Sequence, residues 1–332
     1  MEILCELKRD DDWIRIHEDG GMVTGEFVLD GKRVNPFYFH PWPEYTDGDL
    51  LGFLKGDFFC VPFGIRPESE IPGYAAGQEH PEKEYAHGYS SNGKWELRQC
   101  SGDSAQVHIN YADSVVDRVE REISFLNGRK GISFKNRVIA RENTRLPIGA
   151  HPIFRLPDEP GMARLTVPKA HMICTYPVKT DETSILETNA TCTDISSMPL
   201  ADGGTIDLSR LPLAQHTEEV VMLAGAAEGK VCLENLAEGY RAVLAFDHTK
   251  VPNLLLWISN RGRKFEPWNG RNLCLGIEPV ASAFDFGTAI SCSENELSRQ
   301  GVTTCVSIQK DVPFTFDYQI YIERIQAENI AN

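Results

Sequence analysis

Residues 120–141, EREISFLNGRKGISFKNRVIAR, decide the fold class. Ile123 and Phe125 alternate with polar residues before Asn127-Gly128, and Ile132 and Phe134 do so after it. Alternation at every second residue turns one face of an extended chain towards a core and the other towards solvent. Asn-Gly tolerates the positive φ of a tight hairpin turn. The stretch therefore reads as two antiparallel strands joined at that turn.

The same pattern spreads outward in both directions. Strand signals occupy 13–17, 22–29, 95–100, 105–111, 119–126, 131–140, 164–175, 241–246, 254–259, 273–277, 302–308 and 314–323. Turn chemistry separates them, as in Asp19-Gly20-Gly21, Asp30-Gly31 and Asn92-Gly93. Helical signals are few: 216–227 reads as one short helix, and nothing alternates strand with helix as a parallel sheet requires. Residues 181–210, rich in Thr, Ser, Asp and Gly, read as a long ordered connection. No linker or short repeat divides the 332 residues. The expectation is an all-β chain with little helix, a large antiparallel β-sandwich in one domain spanning 1–332.

Bulk properties exclude several functions. A net charge of −15 argues against nucleic-acid or anionic-membrane partners, which need a basic surface. No apolar run approaches the ~18 residues of a membrane span. The N-terminal MEILCELKRD lacks a basic start followed by an apolar stretch, so no signal peptide is read. Nine scattered cysteines without a Cys-x-x-Cys pair signal neither zinc nor redox chemistry and fit reduced thiols in the cytoplasm. There is no P-loop, G-x-G-x-x-G, H-E-x-x-H or G-x-S-x-G. No metal or organic cofactor is expected. Exposed sheet edges admit a homodimer.

Three polar residues in short motifs carry the candidate chemistry. His151 lies in GAHPIFRLP (149–157), where Pro152 pushes it towards an extended conformation. Among apolar neighbours it reads either as a core histidine bonded to a carbonyl or as an acid/base at a pocket floor. Glu278 follows the apolar run Leu273-Cys274-Leu275-Gly276-Ile277, with Pro279 set to end that strand. Carboxylates are rarely buried unless paired or functional. Glu278 is thus either salt-bridged, to Arg271 or Arg261, or a partly desolvated base. His87 in HGYSSNGKWEL (87–97) reads alone as a loop histidine. Trp257 and Trp268 flank Arg261-Gly262-Arg263-Lys264; their rings suit either core packing or the apolar face of a pyranose. The basic loop reads as a solvated turn or as a clamp for an anionic substituent.

Together these motifs resemble the aldose 1-epimerase (galactose mutarotase-like) superfamily, in the family's motif order and over most of the chain. GDFFCVPFG (56–64) and HGYSSNGKWEL are similar to segments of the hexose-phosphate 1-epimerase-like branch, GAHPIFRLP to a His-Pro-aromatic-Phe motif, and LGIEPVASAFDFG (275–287) to a late strand ending in Glu-Pro. The resemblance implies a β-sandwich enzyme that interconverts sugar anomers. It implies that His151 protonates the ring oxygen, Glu278 takes the anomeric hydroxyl proton and His87 holds the sugar near its ring. Trp257, Phe63, Arg271 and His216 complete the implied sugar-contacting set. A non-catalytic carbohydrate-binding protein is the alternative. The chain departs from the pattern in places. Residues 56–64 hold no arginine, and Arg66 is the nearest. Ser90 and Ser91 stand where the phosphate-handling branch has arginine, Gln215-His216 where relatives have Asp-His, and Ile153 in place of an aromatic. Weak activity on 6-phosphates is the expectation.

Overall fold

The computed structural model describes residues 2–45, 47–77 and 85–325. The hairpin forms as its alternation dictates. Val116–Phe125 pairs antiparallel with Lys130–Ala140, placing Ile123 opposite Phe134 and Phe125 opposite Ile132. Gly128 takes the positive φ of 71° at the turn. The hairpin belongs to a nine-stranded sheet that runs from Arg210–Leu211 at one edge to Glu96–Ser101 at the other.

A second, eight-stranded sheet carries the region of interest. Its order is Thr191–Cys192, Ala170–Thr175, Thr217–Ala226, Asn253–Asn260, Leu273–Ala281, Ile148–Ala150 and Phe59–Cys60, with Ile153–Arg155 also pairing Leu273–Ala281. One face of this sheet meets the nine-stranded sheet. Ile148, Phe154, Leu256, Leu275 and Ile277 join Ile123, Phe134, Leu244 and Ile320 in a single buried cluster. The opposite face is covered by the chain from Tyr38 to Tyr74 and by residues 283–302, which form a second buried cluster with Phe58, Ile153, Leu255 and Trp257. Two-sided burial is the reason its strands show weak alternation.

That burial corrects several sequence expectations. Residues 216–227 contain no helix; Thr217–Ala226 is a strand whose residues are all buried except Gly225. An apolar strand buried on both faces has no period of two to betray it. The signal over 164–175 is two strands, Ala163–Thr166 in the nine-stranded sheet and Ala170–Thr175 in the other, divided at Pro168. Pro279 does not end its strand, which continues to Ala281. Its missing N–H is tolerated where the pairing along that edge is shared between two short strands. Over 302–308 only Val306–Ile308 is strand. Cys5 and Cys100 stand side by side with their sulfurs in contact, and seven other cysteines are free. Among the described residues no helix is long and apolar enough to cross a membrane.

One buried polar hub ties the sheets together. Arg121, on the hairpin, meets Asp57 at 2.6 Å, and both side chains are fully buried. Tyr318 donates to Asp57 at 2.8 Å, and Arg121 Nε donates to Asn136 at 2.9 Å. A pair lost from water on both sides persists only when its remaining donors and acceptors are satisfied, as here. Asp57 immediately precedes Phe58, so the hub fixes the backbone at the floor of the site.

Candidate active site

Strand register, not loop closure, brings His151 to Glu278. Ile148 pairs Ala281 and Ile153 pairs Gly276, and stepping along that shared register sets His151 opposite Glu278. On its other side, Gly149 pairs Cys60 and Ala150 pairs Phe59, which sets His151 opposite Phe58. The His151 N–H donates to the Phe58 carbonyl at 2.8 Å. Beyond Glu278 comes Leu255. Two positions away on the same face, Gly276 is opposite Trp257, and Trp257 opposite Val220. These rows form the floor of a cavity of about 190 Å³. Its walls are Leu50, Leu51 and Leu54 from the covering chain, Ala86 and His87 from a loop, and Arg263, Trp268 and Asp285.

The floor is tightly arranged. His151 Nε2 lies 3.4 Å from Glu278 Oε1, with both side chains buried. Phe58 stacks on the imidazole, ring centres 4.4 Å apart, and fixes its plane. His87 meets His151 edge to face at 4.9 Å. Gly276 is the space that the carboxylate fills: a Cβ there would stand 2.3 Å from Glu278 Oε1.

A strained loop delivers His87. Its φ is 59°, and Gly88 follows with φ 81°. Only glycine fits the second position, where a Cβ would lie 2.1 Å from the Val61 carbonyl oxygen. Ser90 and Ser91 are both fully buried. Ser90 Oγ donates to the Phe59 carbonyl at 2.7 Å, and Ser91 Oγ donates to the His87 carbonyl at 2.7 Å. These serines brace the loop against the sheet and do not line the cavity.

Burial sets the electrostatics. It holds the His151 imidazole well below its ordinary value, with His87 adding to the effect. It lowers His87 to about 4. It pushes the Glu278 carboxyl well above its ordinary value, helped by Asp285. Close packing of Phe58, Trp257 and His87 around the His151 ring is the cause of its shift. His87 Nδ1, His151 Nδ1 and Glu278 Oε1 have no hydrogen-bond partner among the described residues. The three residues that carry these atoms all line the cavity, and buried polar atoms without partners call for a functional explanation.

The other expected contacts divide. Trp257 lines the cavity. Phe63 is fully buried behind it, 4.9 Å from the His87 ring centre. Arg271 and His216 lie outside the lining. Arg271 is bonded to Glu44 at 2.6 Å, and His216 Nδ1 faces Lys264 Nζ at 3.2 Å on the surface. Neither Arg271 nor Arg261 pairs with Glu278, since Arg261 holds Asp158 at 2.6 Å. Sequence reasoning passed over Asp285 and Glu218. Glu218 is a fully buried carboxylate in a sheet strand, the same signal that singles out Glu278, hidden by the helical reading of 216–227.

No protein-family model and no curated protein matches the chain. Solved structures do. An Escherichia coli K12 protein provisionally called an aldose 1-epimerase is similar at TM-score 0.67 and 16% identity, over 96% of this chain and 98% of that one. A galactose mutarotase related enzyme from Lactobacillus acidophilus is similar at TM-score 0.61 and 12% identity, over 97% and 98%. A galactose mutarotase-like protein from Clostridium acetobutylicum is similar at TM-score 0.59 and 16% identity, over 96% and 95%. The chain has the galactose mutarotase-like fold. At these identities the likeness is one of fold.

Proposed function

We propose that this protein is an aldose 1-epimerase-like isomerase that interconverts the α and β anomers of a small sugar by acid/base opening and closure of its ring. The observation that carries the reading is the buried His151–Glu278 contact at 3.4 Å on the cavity floor. Ring opening takes a proton from O1 and gives one to O5, two oxygens bound to the same carbon. An acid and a base serving them must therefore stand side by side, and this pair does. A binding site alone has no use for an acid and a base held in contact on its floor.

In this reading Glu278 removes the O1 proton while protonated His151 donates to O5. The C1–O5 bond breaks and a carbonyl forms at C1. Rotation about C1–C2 presents the other carbonyl face, and reclosure returns both protons. His87 hydrogen-bonds the sugar near its ring, and Trp257 offers an apolar wall to the pyranose. After opening, the proton rests on Glu278 and His151 is neutral. The empty cavity favours that same distribution, because burial raises one group and lowers the other. Sugar hydroxyls that donate to the Glu278 carboxylate return the proton to His151. The pair thus holds one proton throughout, and each general acid/base contribution is worth ~10²–10⁴-fold.

Exchange spectroscopy by NMR on equilibrated glucose and galactose tests the proposal, with the His151→Ala variant as control. Faster interconversion of the anomeric signals with the wild type alone is expected. Sugar binding without acceleration would instead make this a carbohydrate-binding protein.

A further inference from the structure

Two polar side chains on the cavity wall neither give nor take a proton in that cycle: Arg263 and Asp285. The Arg263 guanidinium lies 4.5 Å from the Trp268 ring centre. Its Nε is 3.2 Å from Glu218 Oε1. Glu218 is fully buried and also accepts from Trp257 Nε1 at 2.6 Å and Ser259 Oγ at 2.8 Å. The positive charge of Arg263 is therefore matched by a carboxylate that three donors hold in place. Guanidinium carries five N–H donors in a planar fork. Its terminal amino groups bond no described residue and remain for a ligand.

Asp285 supplies the complement. Tyr176 O–H donates to its Oδ1 at 2.7 Å. Its backbone is set by Phe284 at φ 46° and Gly287 at φ 70°, and its carbonyl accepts from the Ile65 N–H at 2.9 Å. A carboxylate only accepts, while a guanidinium only donates. A hydroxyl does both, so a hydroxylated ring satisfies both walls at once. A phosphate or carboxylate has little to donate to Asp285, and it finds the charge of Arg263 already compensated.

Resting on the sugar-binding reading above, we infer that Arg263 and Asp285 form a hydroxyl-binding pair that selects neutral sugars and rejects those bearing phosphate or carboxylate. Glu218 is its positioning residue, holding Arg263 in line and cancelling its attraction for anions. Rejection built into a site in this way is specificity by repulsion as well as by contact.

Titration calorimetry with 1,5-anhydroglucitol and its 6-phosphate tests the pair apart from catalysis, because neither ring opens. The wild type is expected to bind the neutral ligand and to bind the phosphate at least tenfold more weakly. Asp285→Asn and Arg263→Lys each weaken neutral binding on the order of tenfold. Glu218→Gln raises the relative affinity for the phosphate, which a merely structural role would not do. Equal or tighter phosphate binding by the wild type overturns the inference. So does neutral binding that both wall variants leave unchanged, or a phosphate preference that Glu218→Gln leaves unmoved. Intact anhydroglucitol binding without exchange of free glucose overturns the catalytic proposal and leaves this one standing. Failure to bind either ligand overturns this inference, and the catalytic proposal falls with it only if free glucose is not exchanged either.

Discussion

Gly276 and Glu278 project from the same face of one strand, and the first leaves empty the space in which the second keeps its carboxylate. The clearance is small, since a Cβ on Gly276 would stand 2.3 Å from Glu278 Oε1 and 3.1 Å from Trp257 Cβ. Gly276→Ala is therefore expected to push the carboxylate off its line with His151 while the sheet stays paired. Displacements near 1 Å at a reacting centre cost on the order of 10²-fold. The expected result is a kcat for anomer exchange lower by about that factor, with far-UV circular dichroism unchanged. Undiminished exchange in this variant would remove the requirement for the observed carboxylate position.

Glu278→Gln is expected to abolish exchange and to stabilise the fold. Burial raises the Glu278 carboxyl well above its ordinary value. A carboxyl raised in the folded state contributes stability that is present below its unfolded value of about 4.3 and is lost as pH rises through the folded value. Glutamine does not titrate. Its advantage should be absent near pH 4 and grow towards neutral and alkaline pH, reaching a Tm increase on the order of 2 °C. Thermal melts of the two proteins across pH check this, and a difference that does not vary with pH contradicts it.

The pH profile of kcat/KM follows from the same pair. One proton must be shared between His151 and Glu278. Its loss on the alkaline side follows the raised Glu278, and entry of a second proton on the acid side follows the lowered His151. An ordinary Glu/His pair would hold one proton only between about pH 4.3 and 6.5. Here activity should persist above pH ~6.5 without falling. Asp285→Asn should move the alkaline limb downward, because Asp285 helps to raise Glu278. A profile falling through pH ~6.5 in the wild type would contradict the assigned pair.

The Asp57–Arg121 hub gives a stability prediction separate from catalysis. Removing one partner of a buried pair leaves the other charge uncompensated, at a cost of ~3–5 kcal/mol. Asp57→Ala should show that loss in denaturant melts, with Tyr318 and Arg121 both left short of a partner. A double replacement of Asp57 and Arg121 by apolar residues of similar volume should lie closer to the wild type. Near-equal stability of the single variant would show that water reaches the hub.

The outer sheet was legible because its strands have one wet face. Ile123 and Phe134 alternate with charged neighbours, and the hairpin they predict is the hairpin observed. The inner sheet hid its strands wherever both faces are dry, and Thr217–Ala226 passed for a helix on that account. The site showed the same division. His151 and Glu278 stand out as polar residues in apolar runs, and His87 through a motif. Their adjacency was not readable, since it depends on a register set by Ile148, Ile153 and their partners. Arg271 and His216 belong to the set the resemblance implies, and in this structure their side chains meet Glu44 and Lys264.

The register that pairs His151 with Glu278 also constrains how such a protein could diversify. A slip of either strand by one residue would turn its own group into the opposite, dry core and leave the other without its neighbour, so the contact is kept whole or lost whole. The walls obey no such rule. Leu50 and Leu51, Arg263 and Asp285 sit outside the pairing that fixes the floor, on a short helix and on turns. Substitution there could change which sugar is admitted without touching the ladder. The molecule thus separates a floor whose polar pair is fixed by sheet register from walls that can change without disturbing it.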